Sequence, residues 1–316
     1  MKVTEHIAQA KETLFSFEIL PPLKGKSIQS IYDGIDPLME FKPKFVNVTY
    51  HREEYVYKEH DNGLLEKISV RKRPGTVGIC AAIMNKYHVD AVPHLICGGF
   101  SKEETENALI DLHFLGIDNV LALRGDSIKT ETSFRPHKSG HAHAVELIHQ
   151  ITDMNHGHYL VDDVHLEPTK FCIGAAGYPE KHFEAMNMAT DLAYLKQKVE
   201  AGASYIVTQM FFDNQKYFDF VDACRNIGIH VPIIPGLKPV KTLSHITFLP
   251  KFFNIDYPED LARELLKCKT NEEVEALGVE WGIQQSKELK SKGVPCIHYY
   301  TMSNSSQVKA IAKEIF

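Results

Sequence analysis

T-L-F-S-F-E-I-L, residues 13–20, is a near-continuous apolar run that carries one acid, Glu18, and stops at Pro21-Pro22. A run of this length without helical spacing suits a strand covered on both faces, as in a parallel sheet. Seven further segments of the same kind follow: F-V-N-V-T-Y (45–50), D-A-V-P-H-L (90–95), V-L-A-L-R-G-D (120–126), F-C-I-G-A-A-G-Y (171–178), Y-I-V-T-Q-M-F-F (205–212), V-P-I-I-P-G (231–236) and C-I-H-Y-Y-T (296–301). Helical periodicity fills most of the intervals between them. Eight strand–helix alternations predict an α/β chain folded as a (β/α)8 TIM barrel, one domain over residues 1–316. Chemistry in that fold sits at the C-terminal ends of the strands. Here those ends carry Glu18, Thr49, His94, Arg124, Asp126, Tyr178 and Gln209. The mouth of the barrel is the expected active site.

The connections follow from turn and cap signals. Residues 1–12 read as a short leading helix, and Ile28, Ile31, Ile35, Leu38 and Met39 form a helical stripe ending near Pro43. Segment 51–88 reads as a charged loop, a helix around 63–72, a Pro74-Gly75 break and a second helical turn. Ser101 with Glu104 three residues on is a capping box, and Gly116 closes the helix that it opens. A polar loop to about 140, a helix over 142–154 and a surface excursion over 155–170 come next. Further helices are expected near 186–202, 214–227, 242–254, 271–292 and 304–315.

Bulk properties exclude several classes. A 44% apolar content supplies a large core, and a net charge of -6 disfavours a general nucleic-acid binder. No apolar run approaches the ~18 residues of a membrane span, and Met1–His6 has no signal-peptide core. Cys80, Cys97, Cys172, Cys224, Cys268 and Cys296 are scattered, with no C-x-x-C pair. Free thiols in a reducing compartment are expected, hence a cytoplasmic protein.

Individual positions leave alternatives open. Glu18, flanked by apolar residues, is either a general acid whose pKa burial raises or a salt-bridged structural glutamate. Arg124-Gly125-Asp126 offers a cation and an anion around a close-approach glycine, or a plain structural ion pair. His94 is a ligand group or a satisfied core histidine. His137, His141 and His143 have a metal-like spacing, but all three lie off the strand ends, so no metal is expected. Gln209 can read a donor and an acceptor on a heterocycle, or can serve only its own strand. Neither G-x-G-x-x-G after a strand nor G-x-x-x-x-G-K-[ST] occurs, which disfavours a Rossmann domain and a P-loop.

Taken in order, S-F-E-I-L-P-P (16–22), K-P-K-F-V-N-V-T-Y (42–50), V-P-H-L-I-C (92–97), L-A-L-R-G-D (121–126), A-A-G-Y-P-E (175–180), K-V-E-A-G-A-S-Y-I-V-T-Q-M-F-F-D (198–213), P-I-I-P-G-L-K-P (232–239) and H-Y-Y-T (298–301) resemble the methylenetetrahydrofolate reductase family. The resemblance implies an FAD-binding barrel and a ping-pong reaction. NADH or NADPH reduces the flavin and leaves, and 5,10-methylenetetrahydrofolate is then reduced to 5-methyltetrahydrofolate for methionine synthesis. Glu18 matches the family's general acid, and Asp126 the aspartate beside flavin and pterin. Gln209 matches the pterin-reading glutamine and Thr49 the nicotinamide-side threonine. Tyr50, His94, Arg124, Gly125, Ala144, Tyr178, His182, Ala185, Asp191 and Lys198 match FAD-binding positions. A homo-oligomer is implied as well.

The chain departs from the family pattern at several places. H-R-E-E at 51–54 replaces a glycine-containing stretch, and Tyr194 and Gln197 replace polar or basic cofactor contacts. Leu249, His245 and Asn304 stand where a substrate-stacking phenylalanine, a glutamine and a folate-facing arginine are usual. Rival readings are another flavin barrel oxidoreductase, of the proline dehydrogenase kind, and a folate- or flavin-binding protein without turnover.

Overall fold

The computed structural model describes residues 1–128, 131–161, 166–302 and 304–316. Strands β1 (Leu14–Ile19) and β2 (Phe45–Val48) are followed by a hairpin of β3 (Glu54–Glu59) and β4 (Leu65–Val70). The rest are β5 (Asp90–Ile96), β6 (Asn119–Leu123), β7 (Cys172–Gly177), β8 (Tyr205–Thr208), β9 (Ile233–Ile234), β10 (Gly236–Leu237) and β11 (Cys296–Tyr300). Apart from the hairpin they form one sheet, in the order β10-β11-β1-β2-β5-β6-β7-β8-β9. Every pairing in that sheet is parallel. Strands β9 and β10 are halves of one strand, parted by Pro235, which has no N–H to give the ladder. Because the two halves stand at opposite ends of the order, the sheet closes into the expected barrel.

Side-chain alternation splits the core into two shells. Phe45, Val92, Leu121, Cys172, Tyr205, Val207, Ile234 and Cys296 fill the barrel, with Val3 reaching in from below. Their neighbours in sequence, among them Val46, Ala91, Val120, Ile173, Ile206 and Ile297, face the outer helices. Helix α1 (Val3–Gln9), the anticipated leading helix, plugs the N-terminal end. The Val3 N–H donates to Asn119 Oδ1 at 2.8 Å, and His6 Nε2 lies 2.6 Å from Asp90 Oδ2.

The outer helices are α2 (Gln29–Ile35), α3 (Thr76–Tyr87), α4 (Lys102–Phe114), α5 (Ala144–Asn155), α6 (Met188–Glu200), α7 (Asn214–Asn226), α8 (His245–Phe253), α9 (Glu259–Leu265), α10 (Asn271–Ser291) and α11 (Ser306–Ile315). A 3-10 turn over Asp36–Phe41 extends α2. The capping box before α4 forms as the sequence predicts. Ser101 Oγ accepts from Glu104 N at 3.1 Å, and Glu104 Oε2 accepts from Ser101 N at 2.8 Å.

The expected helix at 63–72 does not form; those residues belong to the hairpin. Asp61-Asn62-Gly63 turns the chain, with Gly63 at φ +75° and Asn62 Oδ1 accepting from Leu64 N at 3.1 Å. The turn chemistry and the β-branched alternation of L-E-K-I-S-V outweigh a charge spacing that imitates a helix. Arg52 ties the hairpin base to Glu131 through two bonds of 3.1 Å. Helix α9 is likewise additional to the elements read from sequence. In the excursion at 155–170, Leu166 N donates to Gly157 O at 2.9 Å; residues 162–165 lie outside the described residues, as do 129–130 in the loop after Asp126. Among the described residues no helix is long and apolar enough to cross a membrane.

Candidate active site

Glu18, next to last in β1, directs its side chain into the mouth, opposite Tyr300 on one side and Asn47 on the other. It is 8% exposed. Thr49 Oγ1 donates to Glu18 Oε1 at 2.5 Å. His94 Nε2 stands 3.3 Å from Glu18 Oε2, and His298 Nε2 stands 3.9 Å from the same oxygen. Behind His298, Ser16 Oγ meets Nδ1 at 2.9 Å. Thr301 Oγ1 donates to the Glu18 carbonyl at 2.7 Å and fixes the strand end.

These neighbours reverse one sequence expectation. Burial pushes the Glu18 carboxyl up, but His94, His298 and the Thr49 hydroxyl together outweigh it and bring it down to about 2. Burial in turn lowers the His94 imidazole, against the pull of Glu18 and with the repulsion of His298 and His51. Beyond this charge contact with Glu18, His94 Nε2 and His298 Nε2 are buried with no hydrogen-bond partner among the described residues.

A second group gathers where β6 and β7 end. Arg124 pairs with Glu184 rather than with Asp126, and its guanidinium lies 5.0 Å from the centre of the Phe134 ring. Gly125 has φ +82°, and a Cβ there would press on Ile96 at 3.2 Å. Asp126 is exposed on the rim, and its charge reaches Tyr178, whose hydroxyl is pushed up chiefly by burial. Tyr178 meets the His182 ring edge-on at 4.7 Å. Asp191, in the first turn of α6, accepts from His182 N at 2.9 Å. Lys198 Nζ donates to Ala176 O at 3.0 Å; burial lowers its pKa and Asp191 opposes the shift. Burial also lowers His182, and Arg124 adds to the effect. Ala144 and Ala185 are buried at the edges of this cluster's elements, Ala144 opening α5 and Ala185 just before α6.

On the β2–β5 side, a mainly apolar hollow of about 490 Å³ is lined by Tyr50, His94, Phe100, Ile79, Leu95 and Arg71, among others. Tyr50 packs edge-on against Phe100 at 5.1 Å. Gln209 follows β8 directly; its N–H donates to Gly177 O at 2.8 Å and its Oε1 accepts from Met210 N at 2.9 Å. Of the three spaced histidines, His141 is bound to Gln150 at 2.5 Å. The sequence reading passed over Ser16, Asn47, Lys238, His298 and Tyr300. All lie on inward-facing positions of strands or strand ends, and strict alternation along C-I-H-Y-Y-T would have separated His298 and Tyr300 from the outward Ile297 and Tyr299.

A profile of methylenetetrahydrofolate reductase matches residues 2–315. The 5,10-methylenetetrahydrofolate reductase of Escherichia coli is 31% identical over 297 residues, 94% of this chain and 88% of that one. The chain belongs to the methylenetetrahydrofolate reductase family. Methylenetetrahydrofolate reductase (NADH) 1 of Arabidopsis thaliana is 32% identical over 96% of this chain and 49% of its own length. The probable NADPH form of Caenorhabditis elegans is 29% identical over 98% and 43%. The chain thus spans about half the length of the plant relatives it matches. Among solved structures, a Clostridium thermocellum protein described as binding two copies of 5-methyl-5,6,7,8-tetrahydrofolic acid superposes with a TM-score of 0.57 at 15% identity, covering 98% of this chain and 97% of that one. That likeness bears on the barrel alone.

Proposed function

We propose that this member of the family is an FAD-dependent reductase of 5,10-methylenetetrahydrofolate. It takes electrons from NADH or NADPH in a ping-pong cycle and supplies 5-methyltetrahydrofolate for methionine synthesis. The observation that carries the reading is the buried Glu18, bracketed at the barrel mouth by Thr49, His94 and His298. The same reading takes residues 1–316 as one barrel domain of a cytoplasmic homo-oligomer.

The chain's own residues suit the flavin. Arg124 and Lys198 act on each other's charge and on His182 beside Tyr178, and two cations with a neutral imidazole fit a pyrophosphate. The apolar hollow beside Tyr50 and His94 offers room for an aromatic ring system. FAD, held by these residues, would supply a hydride donor and acceptor. Thr49 holds Glu18 Oε1 in place, leaving Oε2 toward the histidines. As the proposed acid, Glu18 passes a proton to the folate amine that leaves as the five-membered ring opens. Such positioned acid catalysis contributes roughly 10²–10⁴-fold. Asp126 sets a negative charge at the rim that suits a cationic folate iminium. Gln209 presents its amide to the pterin edge.

The test is product identification. Purified protein supplied with FAD, NADH and methylenetetrahydrofolate is expected to form 5-methyltetrahydrofolate. Oxidation of NADH with no methyl product would contradict the reading.

A further inference from the structure

The strand register places Lys238 in the same layer of the mouth as Glu18. Gly236 stands opposite His298 and Leu237 opposite Tyr299. One step on, Lys238 comes level with Tyr300, which itself stands opposite Glu18. The backbone there is firmly held. Gly236 N donates to Thr208 Oγ1 at 2.9 Å, Tyr300 OH donates to Thr208 O at 2.6 Å, and Gln307 Nε2 donates to Val240 O at 2.8 Å. Lys238 makes no hydrogen bond or ion pair with another described residue. Burial pushes its ammonium down to about 8, with Glu18 opposing and Lys241 adding to the effect.

Its surroundings are short of acceptors. Lys241 is spoken for by Glu275, 3.8 Å away. His245 Nδ1 accepts from Lys241 N at 3.2 Å, so the ring hydrogen sits on Nε2 as a donor. Burial, Lys238 and Lys241 together bring the His245 imidazole down to about 4. A half-buried ammonium beside a second cation and a neutral imidazole N–H favours an anion that completes it. The carboxylate whose charge reaches it is Glu18, which already accepts from Thr49 and faces His94.

We propose that Lys238 is a specificity-determining residue whose ammonium, with the His245 Nε2–H in charge range, receives a carboxylate of the substrate that reacts over Glu18. Resting on the folate reading, the carboxylate is one of the glutamyl tail. This gives the chain a cation for the tail from the β10 end of the barrel.

The test uses the full FAD-loaded chain and equilibrium calorimetry with 5-methyltetrahydrofolate and with 5-methyltetrahydropteroate, which lacks the glutamyl group. Wild type is expected to bind the pteroate roughly ten- to a hundredfold more weakly, the worth of a hydrogen bond to a charged group. Lys238→Met should weaken folate binding by a similar factor and leave pteroate binding unchanged, and Lys238→Arg should recover much of the loss. If Lys238→Met folds poorly, the wild-type ligand pair and Lys238→Arg still decide the matter. Equal loss of both ligands, or loss of neither, overturns the assignment. Folate binding unchanged with a raised KM for NADH overturns it in favour of a nucleotide phosphate. A wild type that binds no folate sinks the functional reading itself, whereas wild-type folate binding with an indifferent Lys238→Met sinks the Lys238 assignment alone.

Discussion

His94 Nε2 lies 3.3 Å from Glu18 Oε2, and the two residues are 4% and 8% exposed. Each alters the other: the imidazole favours the carboxylate, and the carboxylate favours the imidazolium against a burial that opposes both charges. For Glu18 to act as the proposed acid, an entering substrate must weaken the hold of the histidines on its carboxylate.

Glu18→Gln tests this directly. The variant keeps the size of the side chain and can still bond Thr49. It should retain flavin and its reduction by nicotinamide, and should lose roughly 10²–10⁴-fold in folate reduction. Rapid-reaction measurement of the two half-reactions separates the effects, and undiminished folate turnover removes Glu18 from the chemistry.

Asp126 stands exposed on the rim with its charge reaching Tyr178. A negative charge near the flavin disfavours an anionic reduced ring. Asp126→Asn is therefore expected to raise the reduction potential of bound flavin and to slow its oxidation by folate. A potential equal to that of wild type argues against this electrostatic role.

Acid sensitivity has a defined window. His245 is held at about 4 against an ordinary 6.5, so the folded chain binds fewer protons there than the unfolded one. Stability is fully present above 6.5 and declines as pH falls toward 4. His94, shifted in the same direction by burial, adds to the decline. Glu18, lowered from 4.5 to about 2, contributes stability above 4.5 that is lost as pH falls through about 2. Urea unfolding midpoints at pH 7 and pH 5 should show the histidine part of the loss, and His245→Gln should shrink the difference.

Inside the barrel, Gly174 faces the fully buried Tyr205. A Cβ at 174 would lie 2.4 Å from the ring Cζ and 2.6 Å from the hydroxyl oxygen. Gly174→Ala is expected to cost about 1–3 kcal/mol through overpacking. Calorimetry should record this as a lower Tm, by at most roughly 2–4 °C per kcal/mol, the range for somewhat smaller domains. An unchanged Tm would mean that the tyrosine yields without penalty.

The barrel was readable because its strands are buried on both faces, and F-V-N-V-T-Y has no competing helical reading. The hairpin at 54–70 was harder: it is largely exposed, so no apolar run marks it, and only Asp61-Asn62-Gly63 betrays the turn. In the site, Glu18 is conspicuous as an acid within an apolar run. His298 and Lys238 are not, since their place depends on which strand lies beside β1, and the pairing of β11 with β1 joins residues about 280 apart in sequence. The low pKa of Glu18 escaped for the same reason: burial is legible in its own segment, whereas His94 and His298 come from distant strands.

The most direct measurement is an anaerobic visible spectrum of the purified, FAD-supplied protein, followed through addition of NADH and then methylenetetrahydrofolate. The proposed function predicts bleaching by NADH and recovery of the oxidised flavin spectrum on adding folate. Bleaching without recovery would contradict folate as the electron acceptor, and a protein that takes up no flavin would contradict the account as a whole.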